Sequence, residues 1–301
     1  MKILVGIMHG IENELDECLA AVDRQSLPAY DRFVLSGLSN KEAHDTLYQT
    51  FMDHRQEVDL FMKIDADMVL SRHTFFEECA ERFVEDGKLQ HIQIALDDWM
   101  TNRRIFGLHV YRSSHAWELN DEAVFVDMVD VPHERVDDRD QLAPAAVHCP
   151  NPSPFQAYHF GLHKGVKFVQ KSRPEVHARY RVTHWNHFEA LEQNYHRTGE
   201  RRLGLALLGF HDAILHNWGA NEVNFSAPEP KRRFEEWNQL TDQEIKRAIL
   251  SHFPLGWKSL PHTWRFEISR LRVSGDYSLA GICRTARRIF RGSYRKECPL
   301  I

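Results

Sequence analysis

The sequence has few features of a secreted or membrane-spanning protein. Its 301 residues include five cysteines, none of them in a CxxC pair, and their wide scatter fits neither a disulfide framework nor a zinc knuckle. No stretch reaches the roughly 18 uninterrupted apolar residues that a spanning helix needs. The apolar run in residues 1–10 is too short for the core of a signal peptide. We therefore predict a cytoplasmic protein.

The chain also lacks an excess of positive charge. Lys and Arg number 38 against 43 Asp and Glu, for a formal net charge of −5, so we expect no nucleic-acid partner. Basic residues with interspersed apolar ones are instead concentrated near the C-terminus. This pattern predicts either a basic helix in peripheral contact with the inner membrane surface or a helix packed on the rest of the protein. The basic residues are Arg265, Arg270, Arg272, Arg284, Arg287, Arg288, Arg291, Arg295 and Lys296.

Short apolar runs alternate with helical patterns over the first 70 residues. Residues 2–8, 32–35 and 60–64 are predicted strands, and Asn40 is the predicted N-cap of the second helix between them. Three strands and two helices within about 65 residues are typical of an α/β protein. We predict a Rossmann-like, mostly parallel central sheet that is flanked by helices.

The rest of the chain continues this pattern and then becomes mostly helical, notably over residues 184–217. Residues 221–230 break the periodicity and are the predicted domain boundary. We therefore predict an α/β domain over residues 1–225 and a mainly helical, basic C-terminal extension over residues 226–301.

Two carboxylates stand directly after the third predicted strand. Asp65 and Asp67 are two residues apart, and open α/β sheets bind ligands at the carboxyl ends of their strands. Two close acids in a partly desolvated site repel each other unless a cation neutralises them. Mg²⁺ or Mn²⁺ is suitable because both accept hard oxygen ligands and leave positions open for phosphate oxygens. The pair therefore predicts a divalent-metal site.

These features together resemble the family 2-type GT-A glycosyltransferases. The likeness covers the first strand, the helix over residues 14–19 that leads to Gln25, the second strand and the DxD motif at Asp65-Ala66-Asp67, and it continues more weakly to about residue 170. It implies a GT-A fold and a metal-dependent, inverting glycosyltransferase. Such an enzyme moves a sugar from a nucleotide-sugar, with UDP-sugars favoured, to a hydroxyl of a glycan or lipid-linked acceptor, as in polysaccharide biosynthesis.

The resemblance also implies residues that bind the nucleotide-sugar. The family's first loop commonly reads Pro-Thr-Tyr-Asn, and His9 stands here where the base-stacking tyrosine would be. The family's Asp-Asp after the second strand is replaced by Ser36-Gly37, which leaves the identity of the nucleotide open. The implied nucleotide-sugar-binding residues are His9, Gly10, Glu12, Ser36, Asp65 and Lys164.

Further residues are implied to complete the metal site and the chemistry. His148 lies where the family often has a metal-binding histidine after a short strand, and imidazole is an acceptable ligand for manganese. His159 and His163, four residues apart and so on one helix face, are alternative metal or phosphate ligands. Asp127 is the first candidate for the base that deprotonates the acceptor hydroxyl, and Asp130 is the second.

Two other functions remain open from the sequence. The motif around Asp65 also resembles the opening motif of haloacid-dehalogenase-like phosphohydrolases, in which Asp65 would be the nucleophile and Asp67 the acid/base. However, that motif normally follows the first strand of its sheet, and here two predicted strands precede it. The second of these two functions is that of a non-catalytic glycosyltransferase-like protein that binds a partner or a membrane.

Overall fold

The protein has an α/β fold, as predicted. The computed structural model describes residues 1–117, 136–137, 143–169, 174–216 and 218–252. The strands among them are β1 Ile3–His9, β2 Asp31–Ser36, β3 Leu60–Asp65, β4 Met68–Leu70, β5 His91–Asp98, β6 Arg103–Arg112, β7 Val136–Asp137 and β8 Ala146–His148. The helices are α1 Leu15–Asp23, α2 Asn40–Asp53, α3 Phe75–Glu85, α4 Pro154–Val169, α5 Pro174–Thr198, α6 Arg201–His216, α7 Pro228–Asn238 and α8 Asp242–His252, with a 3₁₀ turn at Ala220–Val223.

The described strands form one mixed sheet, where the sequence predicted a mostly parallel one. Their order is β2-β1-β3-β6-β5-β8-β4, with β7 paired to β5. β1 runs parallel to β2 and β3, and β5 runs parallel to β7 and β8. In contrast, β6 is antiparallel to both β3 and β5, and β4 is antiparallel to β8. The reason for the β5–β6 hairpin is local: residues 99–102 are too few for the crossover of a dozen or more residues that parallel neighbours need.

The sheet curls strongly between β3 and β4. Only Ala66 and Asp67 separate these two strands, yet β6, β5 and β8 lie between them in the sheet. Four inter-strand spacings in a flat sheet would span about 19 Å, whereas three residue steps reach at most about 11 Å. The sheet must therefore bend until β4 returns towards the end of β3. This curl brings residues from both ends of the strand order to one place.

Alternating side chains of the parallel strands cover both faces of the sheet. Successive residues of a strand point to opposite faces, so each face has its own buried cluster. One cluster joins β1 and β3 to α1 and α3, and it includes Ile3, Val5, Ile7, Cys18, Val22, Leu60, Met62, Ile64, Phe76 and Cys79. The other joins the same strands to α2, and it includes Leu4, Leu47, Tyr48, Phe51, Phe61, Tyr111 and Trp117.

The N-cap of helix α2 lies one residue before the predicted one. Ser39 is the N-cap, since its hydroxyl accepts a hydrogen bond from the amide of Glu42 at 3.3 Å and its own amide donates to the Glu42 carboxylate at 2.9 Å. This reciprocal pair is a capping box. The prediction of Asn40 as N-cap was therefore wrong, because Asn40 is already the first residue of the helix.

The chain divides into two compact units, Met1–Gln156 and Ala157–Ile301, so that the division falls within α4. The first unit contains the sheet with α1 to α3. The described part of the second unit is helical, and most residues of α6 are buried within it. The domain boundary predicted near residue 225 stays a prediction. Among the described residues, no helix combines the length and the apolarity that are needed to cross a bilayer.

Candidate metal centre

Three parallel strands end in side chains that can bind a cation. β3 ends at Asp65, β5 at Asp98 and β8 at His148. β5 and β8 are parallel, and β3 runs the same way because β3 and β5 are both antiparallel to β6. Their carboxyl ends therefore lie at one edge of the sheet, where open α/β sheets bind ligands. Asp67 is at the same edge, in the connection from β3 to β4.

Strand pairing explains why distant residues meet here. The parallel register of β5 and β8 pairs Asp98 with His148. The antiparallel register of β4 and β8 pairs Met68 with His148, which places Asp67 and Cys149 next to each other. The backbone amide of Cys149 donates to the carbonyl of Asp67 at 2.8 Å and extends this pairing by one step.

An oxygen, a nitrogen and a sulfur converge at this point. The carboxylate oxygen Oδ2 of Asp67 lies 3.3 Å from Nε2 of His148 and 3.2 Å from Sγ of Cys149. Nε2 of His148 and Sγ of Cys149 are 3.8 Å apart. These residue types are common metal ligands, and the three side chains can hold a metal ion.

A buried carboxylate orients the histidine. Oδ1 of Asp98 lies 2.7 Å from Nδ1 of His148, while Oδ2 of Asp98 accepts hydrogen bonds from the amide and hydroxyl of Thr101. The Asp98 side chain has no exposed surface. Because Nδ1 donates to Asp98, Nε2 is directed at Asp67. A carboxylate that holds the far nitrogen of a histidine is a common feature of protein metal sites, where it fixes the ring and makes it a better ligand.

The electrostatics of this group favour a bound positive charge. Burial disfavours the charged imidazolium of His148, yet the carboxylates of Asp67 and Asp98 overcome this effect and hold its pKa well above the ordinary value. Burial likewise opposes the ionised form of Asp98, but hydrogen bonds from His148 and Thr101 bring the pKa of Asp98 below its usual range. The group therefore keeps a proton on His148, which a metal ion displaces when it binds.

Glu12 adds a further acidic side chain close to this group. Its carboxylate accepts a hydrogen bond from the amide of Gly10. Burial, followed by the negative charges of Asp67 and Asp65, raises its pKa from 4.5 to about 8. Burial is the larger cause, and a divalent cation bound nearby would offset the smaller one, the repulsion from the neighbouring carboxylates.

The segment after Cys149 is held by the start of α1. Cys149 has a φ of +49°, which is unusual for a residue with a side chain. Just beyond it, the buried carboxylate of Glu14 accepts hydrogen bonds from the amide of Asn151 at 2.9 Å and from Nε2 of Gln156 at 2.8 Å. The amide of Asn13 in turn donates to Oε1 of Gln156 at 3.0 Å. These contacts hold the backbone segment that follows Cys149.

Asp65, His9 and Ser36, which the sequence also predicts as site residues, lie at the same edge of the sheet. Oδ1 of Asp65 accepts from Nζ of the buried Lys63 at 2.9 Å, so Asp65 is ion-paired and is not a member of the Asp67–His148–Cys149 group. The His9 ring nitrogen Nδ1 lies 3.1 Å from the hydroxyl of Ser36, because His9 and Ser36 pair at the ends of β1 and β2.

The alternative ligands lie on α4 in the second unit. Nε2 of His159 donates to the carbonyl of Val223 at 2.6 Å, and burial lowers the pKa of this histidine to about 4. Its ring centroid is 4.2 Å from that of His163. The ammonium of Lys164 sits 4.9 Å over the ring of Phe160. The roles predicted for these three residues stay predictions, and the candidate bases Asp127 and Asp130 lie outside the described residues.

Sequence reasoning missed Asp98 and Cys149. No sequence motif points to Asp98, and the scattered cysteines, which form no CxxC pair, predict no metal site. The available signal was the adjacent His148-Cys149 pair directly after a predicted short strand. No protein-family model matches the chain, and no curated protein matches it in sequence. The interpretation of this site therefore rests on the residues themselves.

Proposed function

We propose that this protein is a metal-dependent glycosyltransferase that transfers a sugar from a nucleotide-sugar, favouring UDP-sugars, to a hydroxyl acceptor. The observation that carries the proposal is the position of Asp67, the last acid of the DxD motif. It stands at the carboxyl edge of an α/β sheet with its carboxylate 3.3 Å from Nε2 of His148. The resemblance of residues 2–70 to family 2-type GT-A enzymes adds the reaction class and an inverting outcome.

The residues present fit Mn²⁺ better than Mg²⁺. Asp67 and His148 would hold the ion, and Asp65 would face the ribose or the metal. Imidazole is a normal ligand for manganese, whereas magnesium prefers all-oxygen surroundings. When bound, the ion neutralises charge on the diphosphate and so favours departure of the nucleoside diphosphate.

The chain's own residues would bind and orient the substrates around this centre. His9 would stack on the base, with Ser36 and the Gly10 amide close to the ribose and phosphates. Asp127, or Asp130 in its place, would take the proton of the acceptor hydroxyl as it attacks the anomeric carbon. We propose a glycan or a lipid-linked acceptor, since the basic C-terminal segment is suited to the inner membrane surface. That segment lies outside the described residues.

Nucleotide binding tests the proposal directly. UDP, GDP and dTDP are titrated into metal-free protein with Mn²⁺, with Mg²⁺ and with EDTA. We expect one nucleotide to bind with Mn²⁺, to lose its affinity in EDTA and to bind at least about tenfold more weakly to Asp67→Asn. Asp97→Asn is the matched control, because Asp97 has an exposed carboxylate and does not belong to the ligand group.

The other outcomes identify the alternatives. If no nucleotide binds under any condition, the nucleotide-sugar proposal is wrong. Hydrolysis of a simple phosphate monoester that is lost in Asp65→Asn would then support the phosphohydrolase. Absence of both nucleotide binding and hydrolysis would support a non-catalytic binding protein.

A further inference from the structure

We propose that Cys149 is the third protein ligand of this metal centre, and that the centre therefore binds a thiophilic divalent ion such as Zn²⁺ or Co²⁺ through an oxygen, a nitrogen and a sulfur. The inference deepens the proposed function and rests on it only for the presence of a resident divalent cation. It adds a ligand and a class of metal that the DxD motif does not imply.

The distances among the three donor atoms match one tetrahedral ion. Zinc lies about 2.0–2.2 Å from nitrogen and oxygen ligands and about 2.3 Å from sulfur, so a tetrahedron has edges of about 3.4 Å between N and O and about 3.6 Å to S. The observed edges are 3.3 Å from Asp67 to His148, 3.2 Å from Asp67 to Cys149 and 3.8 Å from His148 to Cys149. One ion can therefore reach all three atoms after small side-chain adjustments.

The surroundings of Cys149 differ from those of the other described cysteines. Cys18 and Cys79 lie in the apolar cluster beneath β1 and β3. Cys149 is equally buried, but its sulfur faces a carboxylate, an imidazole and the amide nitrogen of Gln156 at 3.9 Å. A cysteine that only fills space needs no polar neighbours, whereas a metal ligand does.

The backbone supports the same assignment. Cys149 adopts the left-handed region, at φ +49°, immediately after the strand that presents His148. The hydrogen bond from its amide to the Asp67 carbonyl at 2.8 Å and the attachment of Asn151 to Glu14 hold this conformation. Adjacent residues of an extended strand point in opposite directions, so this break in the strand allows His148 and Cys149 to face one point.

The donor set determines which ions should be preferred. On binding, the thiol of Cys149 releases its proton to solvent, and the sulfur becomes an anionic ligand. Thiolate favours zinc and other softer ions, while Mg²⁺ prefers oxygen ligands. Three protein ligands leave the fourth tetrahedral position open, as in catalytic rather than structural zinc sites, and a diphosphate oxygen can occupy it.

Cobalt spectroscopy tests whether the sulfur is a ligand. Co²⁺ is added to metal-free protein that is kept reduced with a phosphine. We expect the near-ultraviolet charge-transfer band of a cobalt–thiolate bond, and its loss in Cys149→Ser with the fold retained by circular dichroism. The band should persist in Cys18→Ala, in Cys79→Ala and in the Cys283→Ser/Cys298→Ser double variant, which together control for the other four thiols.

Affinity gives a second readout. In Cys149→Ser, we expect affinity for Zn²⁺ to fall by about 100-fold, while affinity for Mn²⁺ changes by no more than about threefold, because the serine hydroxyl remains a hard donor. X-ray absorption of the zinc-loaded wild-type protein needs no variant. It should show one sulfur at about 2.3 Å from zinc.

The outcomes separate this proposal from the proposed function. Cobalt that binds without a thiolate band, or zinc that is surrounded by nitrogen and oxygen alone, would overturn the role of Cys149 but leave the nucleotide-sugar proposal standing. A band that survives in Cys149→Ser and disappears in the double variant would also overturn it. Metal binding through Cys149 without any nucleotide binding would support the inference and reject the transferase.

Discussion

At the scale of single residues, two neighbouring acids have opposite environments. The side chain of Asp98 has no exposed surface and holds His148, whereas the side chain of Asp97 is 63% exposed and lies 3.8 Å from Arg104. Adjacent residues of β5 point to opposite sides, so one carboxylate supports the metal centre and the other faces solvent. This contrast supplies a matched pair of substitutions.

We predict that Asp98→Asn weakens metal binding by about 10- to 100-fold, because the amide lacks the charge that makes His148 a stronger ligand. Asp97→Asn should leave the affinity unchanged. Competition of each variant with a chromophoric chelator gives the measurement. Equal affinities of the two variants would show that Asp98 does not support the histidine through its charge.

The partly buried carboxyl of Glu12 predicts a pH dependence of stability in metal-free protein. Its pKa is about 8 in the folded state against an ordinary value of 4.5, so between these values the folded state binds more protons than the unfolded state. The free energy of unfolding should therefore fall as pH rises through this window, and Glu12→Gln should remove that part of the loss. Below about pH 4.5 the carboxyl is protonated in both states and the difference disappears.

At pH 8 we expect Glu12→Gln to be more stable than the wild type by on the order of 4 kcal/mol, and at pH 5 by no more than about 1 kcal/mol. Urea unfolding in EDTA at both pH values measures the difference in the free energy of unfolding between the variant and the wild type. Glu17→Gln, at an exposed position of α1, controls for the loss of one negative charge. If Glu12→Gln shows the same difference at pH 5 and pH 8, the carboxyl is not protonated near neutral pH.

At the scale of elements, two glycines allow helices of the second unit to pack backbone to backbone. A Cβ built on Gly161 of α4 would lie 1.7 Å from the carbonyl oxygen of Ala206 in α6. A Cβ on Gly209 of α6 would lie 2.1 Å from the carbonyl oxygen of Tyr158. Since backbone cannot move aside as a flexible side chain can, both positions require glycine.

Gly161→Ala should therefore destabilise the second unit by about 3 kcal/mol, since the methyl group forces α4 and α6 apart. Gly87→Ala is the control. No atom lies within 4 Å of its Cβ position, and we expect a neutral or slightly stabilising effect of up to about 1 kcal/mol. Chemical unfolding followed by circular dichroism measures both changes. A Gly161→Ala protein as stable as Gly87→Ala would contradict the close approach of the two helices.

Local sequence patterns predict the positions of strands and helices, but they do not predict which side chains are exposed. β1, β2, β3 and α2 lie within about two residues of their predicted positions, because apolar runs and turn residues are local signals. Trp185 on α5, for example, is fully buried in contact with Phe168 and Phe188. A sequence pattern indicates that a helix has an apolar side, but the packing of other helices decides which aromatic rings remain exposed.

At the scale of the whole molecule, the metal centre joins segments that are far apart in the chain. Asp67 and His148 are separated by 81 positions, counted from their residue numbers, yet both belong to the unit Met1–Gln156. A cation that binds only the folded arrangement stabilises that arrangement by mass action. All three members of the group, Asp67, His148 and Cys149, lie within that unit.

We therefore predict that a bound divalent ion at 100 times its Kd stabilises the first unit by about 2.7 kcal/mol. In hydrogen exchange, slower exchange on metal addition should be confined to residues within 1–156, and Asp67→Asn should abolish it. EDTA should reverse the effect in the wild type. Protection that appears equally in residues 157–252, or that persists in Asp67→Asn, would place the ion elsewhere.

The sequence by itself determined the α/β class, the first three strands and the acids at the end of the third, because hydrophobic periodicity and the end of a strand are properties of neighbouring residues. It also indicated His148, through resemblance rather than through geometry. Only the tertiary structure decided that Asp98 orients this histidine and that Cys149 joins Asp67. Those contacts depend on the register of β8 against β5 and β4 and on the curl of the sheet. Register arises from packing and hydrogen bonding between segments distant in sequence, and so no local pattern specifies it.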